Sequence, residues 1–346
     1  MKFNKLSNTD ISVSEICLGT MTFGEQNSEA ESHAILDCAI DNQINFIDTA
    51  EMYAVPSTKE NFGKTEEFIG SWIKKTKKRD QFILATKVTG HSSNLNYIAN
   101  NLGFSKSRIH NAIDNSLRKL NTDYVDLYQL HWPERKANFF GIRGFKKSET
   151  EKWQDNMLEV AQIMNGLIDD GKIRHWGLSN ETPWGTMRYL VECDANGIHR
   201  PVSIQNPYNL LNRTYEVGMA EISYRENIGL LVYSPMAFGL LSGKYHLKSD
   251  QPDDRMNKYK ELSRYNSKTA YVATDEYLKI AQKHDFSLAQ MSLAYINTKR
   301  FVTSNIIGVT TIDQLKENIA SKELILSSDV IKEIELVHDL IPNPAP

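Results

Sequence analysis

The sequence contains little cysteine, and its few cysteines are far apart. Cys17, Cys38 and Cys193 are scattered over 346 residues, with no Cys-x-x-Cys pair and no Cys/His cluster. That spacing supports neither a disulfide framework nor a structural metal site. We therefore expect a protein without a bound metal, kept in a reducing compartment.

The chain also lacks an excess of charge and any long apolar run. Lys and Arg number 40 and Asp and Glu 43, which gives a net charge of -3. Nucleic-acid and membrane-surface proteins usually carry a basic excess. No stretch approaches the ~20 apolar residues that span a bilayer, and the first residues, MKFNKLSNTDISVSE, lack the apolar core of a signal peptide. We expect a cytoplasmic protein with no nucleic-acid or membrane partner; the oligomeric state stays open.

Short apolar runs alternate with segments of helical spacing, and this alternation indicates a parallel sheet covered by helices. An open doubly wound sheet would fit the same alternation. However, no Gly-x-Gly-x-x-Gly follows the first run, and the number of units is nearer eight than five or six. We therefore predict one domain, residues 1–346, folded as a (β/α)8 TIM barrel. The predicted strands are Phe46–Ile47, Phe82–Ala85, Tyr124–Leu130, Ile173–Leu178, Leu230–Tyr233 and Ile306–Ile307, and the predicted helices include Ala30–Asn42, Ser107–Leu120 and Leu158–Asp170.

Three segments are too long for minimal connections between a strand and the next helix. They are Val88–Gly103, Pro133–Thr150 and Leu240–Lys268, and each follows a predicted strand. In a barrel the connections that follow strands lie at the C-terminal face, where active sites are built. We predict that these extended loops enclose a substrate there.

Four polar residues stand where consecutive predicted strands end: Asp48, Tyr53, Lys87 and His131. Taken singly, a tyrosine usually packs, a lysine is usually solvated, and a histidine is more often structural than catalytic. In a barrel, however, all four project into one mouth, and charged groups are seldom buried there without a task. The set is therefore a candidate catalytic site.

The four residue types suit the reduction of a carbonyl by hydride. The developing alkoxide needs a proton donor, and Tyr53 can provide it. An ammonium at Lys87 favours the phenolate and so lowers the pKa of Tyr53 from ~10. Asp48 would hold Lys87 charged by ion pairing, and His131 would orient the carbonyl oxygen.

Eight motifs occur in order along the chain. They are LGTMTFG, IDTAEMY, ATK, DLYQLHWP, GKIRHWGLSN, IQNPYNLLNR, YSPMAFGLLSGKY and IIGVTTIDQLKEN. Together they resemble the signatures of the aldo-keto reductase family, including the branch of the potassium-channel β-subunits. The resemblance implies an NADPH-dependent oxidoreductase that interconverts a small carbonyl and its alcohol. The family's catalytic Asp, Tyr, Lys and His correspond to Asp48, Tyr53, Lys87 and His131.

The resemblance also implies a dinucleotide site. Around the nicotinamide and its ribose it implies Thr20, Met21, Asp48, Ser179, Asn180, Gln205 and Tyr233, although Tyr233 would equally suit barrel packing. The turn formed by Ser234, Pro235, Met236, Ala237 and Phe238 offers a backbone N–H from every residue except the proline, and with the charge of Lys244 it suits a pyrophosphate. The adenosine positions match Gly308, Thr310, Gln314, Glu317 and Asn318.

One departure concerns the 2′-phosphate of NADPH. Many family members carry Lys and Arg at the positions of Gly308 and Gln314, and neither cation is present here. The positive charge would then come from the third long loop. We assign it to Arg255, by its place after Lys244, with Arg264 as the reserve.

The substrate stays open within a class of small aldehydes, ketones and sugar-like carbonyls. Aromatic walls are expected from a set of ring side chains: Tyr53, Trp132, Phe139, Phe140 and Trp184. The two phenylalanines could instead anchor their loop. The alternative function is a regulatory or redox-sensing module that binds NADPH and turns over slowly, because regulatory relatives keep the same four residues.

Overall fold

The computed structural model describes residues 1–146, 149–260 and 264–346. Its centre is a closed barrel of eight parallel strands, in the order β10-β3-β4-β5-β6-β7-β8-β9. The strands are β3 (Ile16–Gly19), β4 (Phe46–Asp48), β5 (Ile83–Val88), β6 (Val125–Leu130), β7 (Ile173–Ser179), β8 (Ser203–Pro207), β9 (Gly229–Tyr233) and β10 (Val302–Gly308). The predicted (β/α)8 barrel is confirmed.

Helices alternate with the strands and cover the outside of the barrel. They are α1 (Glu29–Asp41), α2 (Lys64–Thr76), α3 (Lys106–Leu120), α4 (Met157–Asp169), α5 (Pro183–Asn196), α6 (Tyr215–Arg225), α7 (Arg255–Lys258), α8 (Lys268–Lys283), α9 (Leu288–Asn297), α10 (Ile312–Ala320) and α11 (Ser328–Leu340). Within the described ranges, no helix is long and apolar enough to cross a membrane.

Local sequence explains where the helices begin and end. Ser28 and Glu31 form a reciprocal capping box at the start of α1. Gly171, with φ +73°, stops α4, as its position in the sequence predicts. Ser105 occupies the cap position of α3, but its side chain makes no capping hydrogen bond. The ends of the three predicted helices lie within one residue of the observed ends, a difference that is usual for helix boundaries.

The strand predicted as Phe82–Ala85 extends further than expected. β5 runs from Ile83 to Val88, so Lys87 lies inside the strand and not beyond it. β3 and β8 were not predicted as strands; in β8 (sequence SIQNP) polar side chains stand in place of an apolar pattern.

A hairpin closes the N-terminal end of the barrel. β1 (Phe3–Lys5) pairs antiparallel with β2 (Ser12–Ser14). The buried side chains of the hairpin segment pack with residues in or beside the barrel strands in one apolar cluster: Leu6, Ile11, Val13, Cys17, Phe46, Ala85, Leu127, Val202, Leu231 and Ile306. The interior is therefore a packed core at this end, and a ligand site is expected at the opposite mouth.

Candidate active site

A cavity of about 1110 Å³ opens at the carboxyl ends of the strands. It is large enough for a dinucleotide and a small substrate, since ordinary ligand pockets measure about 300–1,000 Å³. Residues from all three predicted long loops line it, among them Leu95, Phe140 and Leu247. Two of these segments, Pro133–Thr150 and Leu240–Lys268, include residues 147–148 and 261–263, which lie outside the described part of the chain. The predicted placement of the loops at this face is confirmed for the described residues.

A buried ion pair lies at the base of the cavity. Lys87 Nζ donates to Asp48 Oδ2 at 2.6 Å and to the carbonyl oxygen of Thr49 at 2.8 Å. The Lys87 side chain is 0% exposed, and a buried charge of this kind needs such a partner. Burial acts to lower the pKa of Lys87, but Asp48 and Tyr53 raise it above its usual value. Lys87 is therefore an ammonium at neutral pH.

Two glutamines hold the other oxygen of Asp48. Gln205 Nε2 donates to Asp48 Oδ1 at 2.8 Å, and Gln129 Nε2 donates to the same oxygen at 3.1 Å. The sequence analysis assigned no role to Gln129. A signal was present, because a glutamine in the apolar strand β6 lies two residues before His131 and so shares its face.

Tyr53 lies above the ion pair and beside His131. Lys87 Nζ is 5.0 Å from the centroid of the Tyr53 ring, and the Tyr53 and His131 rings meet edge to face at 5.8 Å. Burial raises the pKa of Tyr53 by more than the Lys87 charge lowers it. The expected net lowering of the Tyr53 pKa is therefore wrong for the protein alone, because the phenol is removed from water.

His131 is held as a neutral imidazole. Burial, and then the charge of Lys87, move its pKa well below the usual value. Its Nδ1 has no hydrogen-bond partner among the described residues. The backbone is fixed instead, because Asn180 Nδ2 donates to the His131 carbonyl oxygen at 2.8 Å and Tyr233 Oη donates to Asn180 Oδ1 at 2.6 Å.

Glu51 joins the segment that carries Tyr53 to α3, through a second buried ion pair, and to the end of β5, through backbone hydrogen bonds. Arg108 Nη2 donates to Glu51 Oε2 at 2.6 Å, and the backbone N–H of Thr89 donates to the same oxygen at 3.0 Å. The Glu51 N–H donates to the Lys87 carbonyl oxygen at 3.2 Å. These contacts fix the position of Tyr53 relative to Lys87. Glu51 lies inside the motif IDTAEMY, but its spacing alone did not reveal this contact.

Almost all of the predicted cofactor residues line the same cavity. They are Thr20, Met21, Asp48, Ser179, Asn180, Gln205, Tyr233, Ser234, Pro235, Met236, Phe238, Lys244, Arg255, Gly308, Thr310, Gln314, Glu317 and Asn318. Ala237 does not fit its predicted role. It is fully buried, and its N–H donates to the Ser234 carbonyl oxygen at 3.0 Å, so it is not available to a pyrophosphate.

The cations near the predicted pyrophosphate region differ in how they are paired. Lys244 forms an ion pair with Asp254. Among the described residues, no carboxylate lies within 4 Å of Arg255. Its Nη2 contacts Met21 Sδ at 3.7 Å, its guanidinium lies 4.8 Å from the Phe238 ring, and its buried Nε has no hydrogen-bond partner there.

Arg264, the reserve cation, lies in another part of the cavity. Its Nη1 donates to Tyr233 Oη at 3.3 Å, and its guanidinium is 5.7 Å from the Phe140 ring. Phe140 in turn contacts Trp132, which packs on His131. Trp184 is not an aromatic wall: it is half exposed and packs on Arg135 outside the cavity lining.

The closed barrel, with charged and polar groups gathered at the carboxyl ends of its strands, defines the class of (β/α)8-barrel proteins with a ligand site at that face. The chain belongs to the aldo/keto reductase family, whose family model matches residues 15–339. It is therefore an oxidoreductase, of a family that generally uses NADP(H).

Individual relatives cover nearly the whole chain. It is 43% identical to "Protein tas" of Escherichia coli over 100% of both chains. It is 30% identical to the "Uncharacterized oxidoreductase YrpG" of Bacillus subtilis, over 99% of this chain and 97% of the relative. It is 28% identical to a "Probable voltage-gated potassium channel subunit beta" of Arabidopsis thaliana, over 97% and 96%. These comparisons confirm the family resemblance, including its channel-subunit branch.

Proposed function

We propose that the protein is an NADPH-dependent reductase of small aldehydes and ketones, with Tyr53 as the general acid in reduction and the general base in alcohol oxidation. The observation that carries the proposal is the buried Asp48–Lys87 pair beneath Tyr53 and His131, at the base of a dinucleotide-sized cavity. A charged residue in a cleft whose pKa is shifted by desolvation and by a specific charge partner is a candidate for a functional site.

The cavity residues fit the cofactor. Ser179, Asn180 and Gln205 offer amide and hydroxyl groups for a carboxamide, and the ring of Tyr233 offers a flat face. The guanidinium of Arg255 has no carboxylate partner among the described residues, and its buried Nε makes no hydrogen bond to them, so it suits the 2′-phosphate. When bound, NADPH would supply the hydride.

Each catalytic side chain has a role that follows from its surroundings. Tyr53 is protonated at neutral pH and so has a proton to give to the carbonyl oxygen. Lys87 stabilises the phenolate that remains, and Asp48 keeps Lys87 in place. His131, being neutral, can donate one hydrogen bond to the same oxygen without adding a full charge.

The substitution Tyr53→Phe tests the assignment. It removes one hydroxyl, so we expect NADPH binding to persist while carbonyl reduction falls by on the order of 100-fold or more. The measurement is steady-state NADPH oxidation across a panel of aldehydes, with cofactor binding followed separately by fluorescence. As a companion, Lys87→Met is expected to shift the pH–rate profile or abolish activity.

Two results would contradict the proposal. A near-normal kcat in the Tyr53→Phe variant would remove Tyr53 from the role of acid. Tight NADPH binding by the wild-type protein, with no turnover of any aldehyde in the panel, would instead favour the regulatory or redox-sensing module.

A further inference from the structure

The cavity has two parts with different charge. The part lined by the predicted cofactor residues contains both positively and negatively charged side chains. Four carboxylates line the cavity as described: Asp48, Asp253, Asp254 and Glu317. Asp48 pairs with Lys87 at the base, and Asp254 pairs with Lys244. Asp253 belongs to the turn between Lys244 and Arg255, and Glu317 accepts a hydrogen bond from Ser287.

The other part is formed by the first two long loops, by the segments that follow β4 and β6, and by Arg264. Its walls are mainly apolar and aromatic, from Met52, Val55, Leu95, Trp132, Phe139 and Phe140. Its two arginines are Arg143 and Arg264, and in the described part of the chain no carboxylate lies within 4 Å of either. Arg143 is exposed and donates to the Pro344 carbonyl oxygen at 3.2 Å. A cationic group in an apolar wall, without a carboxylate partner, is costly unless a ligand pairs with it.

A chain of hydrogen bonds connects Arg264 to His131, at the end of the cavity where the reaction would occur. Tyr233 Oη accepts a hydrogen bond from Arg264 and donates its own proton to Asn180, which is bonded to the His131 backbone. A guanidinium has five N–H donors in a rigid fork, so the bond to Tyr233 leaves donors for a planar or tetrahedral anion. Trp132 and Phe140 form a row of rings that leads from His131 to Arg264.

We propose that Arg264 binds an anionic group, a carboxylate or a phosphate, at the far end of the carbonyl substrate. The preferred substrates are therefore negatively charged aldehydes or ketones. The inference deepens the proposed function and rests on it. It also separates the two arginines of the third loop: Arg255 serves the cofactor and Arg264 serves the substrate.

Matched pairs of aldehydes test the proposal. The carboxylate pair is 4-carboxybenzaldehyde and its neutral methyl ester, methyl 4-formylbenzoate; the phosphate pair is glyceraldehyde 3-phosphate and glyceraldehyde. The ester withdraws more electron density than the carboxylate, so intrinsic reactivity opposes the expected result in that pair. We expect the anionic member of at least one pair to have a kcat/KM higher by on the order of 10-fold or more, mainly through KM. Whichever pair shows it identifies the anion.

The variant Arg264→Met is expected to bring that ratio to about one, whereas Arg264→Lys, which keeps the charge, retains part of it. The matched control is Arg225→Met, an exposed arginine on α6 that pairs with Glu221, and it is expected to leave the ratio as in the wild type. Affinities for NADPH and NADH are measured in every variant by fluorescence titration.

Three outcomes overturn the inference. If both pairs are reduced without preference for the anion, the inference fails and the proposed function stands. If Arg264→Met keeps the preference, or lowers NADPH affinity relative to NADH instead, then Arg264 does not bind the substrate anion. If no aldehyde is reduced although NADPH binds, the proposed function itself fails and the inference with it.

Discussion

At the scale of single residues, the site is organised around what each group gains or loses by burial. Lys87 keeps its charge because Asp48 and Tyr53 offset the loss of water, whereas burial and the nearby charge of Lys87 lower the pKa of His131 so that it is neutral. Tyr53 keeps its proton because burial raises the pKa of its phenol. One environment therefore sets three protonation states, and each of them suits proton transfer near neutral pH.

The neutral state of His131 has a consequence for stability. Its pKa in the folded protein lies well below the value of about 6.5 that it has in an unfolded chain. When the pH falls below about 6.5, the unfolded chain therefore binds a proton that the folded protein does not, and the free energy of unfolding decreases. The contribution of this residue is at most about 1.4 kcal/mol per pH unit. Above about pH 7 it is constant.

We therefore expect His131→Asn to lose less stability than the wild type between about pH 7 and about pH 5. The measurement is urea unfolding of both proteins at several pH values, without cofactor. Because other histidines titrate in both proteins, the difference between the two pH slopes is the quantity to compare. Equal slopes would show that His131 takes up a proton in the folded state.

Arg255 is the residue on which the cofactor preference depends. Arg255→Ala is expected to weaken NADPH binding by roughly 1.5–3 kcal/mol, the range of a charged hydrogen bond, while NADH binding is almost unchanged. Fluorescence titration of both cofactors measures this. Equal weakening of both would mean that Arg255 contacts parts they share, and equal wild-type affinities would refute the preference itself.

The sequence alone located most of these residues, because the four catalytic candidates lie at or near the carboxyl ends of apolar strands and the resemblance covers the chain in order. What it could not provide depends on contacts between distant segments. Gln129 and Glu51 hold neighbours that come from other elements. The partners of Lys244 and Arg264 depend on how the third loop folds back over the barrel.

At the scale of elements, α2 and α3 approach so closely that only glycine fits between them. A Cβ added at Gly70 would lie 1.9 Å from the Lys119 carbonyl oxygen, which belongs to the last turn of α3. Gly166, inside α4, has nothing within 4 Å of the same position. The two glycines therefore offer a matched comparison of one substitution in two helix interiors.

We expect Gly70→Ala to destabilise the protein by about 1–3 kcal/mol, since the backbone of α3 must move. Gly166→Ala is expected to stabilise it by about 0.5–1 kcal/mol, because alanine restricts the unfolded chain and strains nothing. Urea titrations of both variants give the two values. A Gly70→Ala protein as stable as Gly166→Ala would show that the helices separate at no cost.

Elements were predictable where one period dominates the pattern, as in α3 and β6. β8 was not, since Gln205 and Asn206 turn towards Asp48 and Glu181 and so replace the apolar residues by which a strand is identified. At the site, the polar residues that hold other side chains in place interrupt the apolar pattern that would identify the strand.

At the scale of the whole molecule, the alternation of strands and helices was enough to predict the barrel, and the number of units excluded the open sheet. That residues 1–346 form one domain stays a prediction. The extra helices α8 and α11, which pack on each other, lie outside the eight-fold repeat and could not be inferred from it.

The pairing that closes the barrel joins its first strand to its last. Asn305 of β10 lies opposite Ile16 of β3, and Gly308 lies opposite Gly19. A ribosome adds about 5–20 residues per second, so β3 is synthesised roughly 15–60 s before β10, the strand that pairs with its second edge. During that interval β3 pairs at most with β4, and one row of its backbone N–H and C=O groups stays open to other chains. Elongation, rather than local folding, therefore sets the earliest moment at which a nascent copy of this protein can bury that edge.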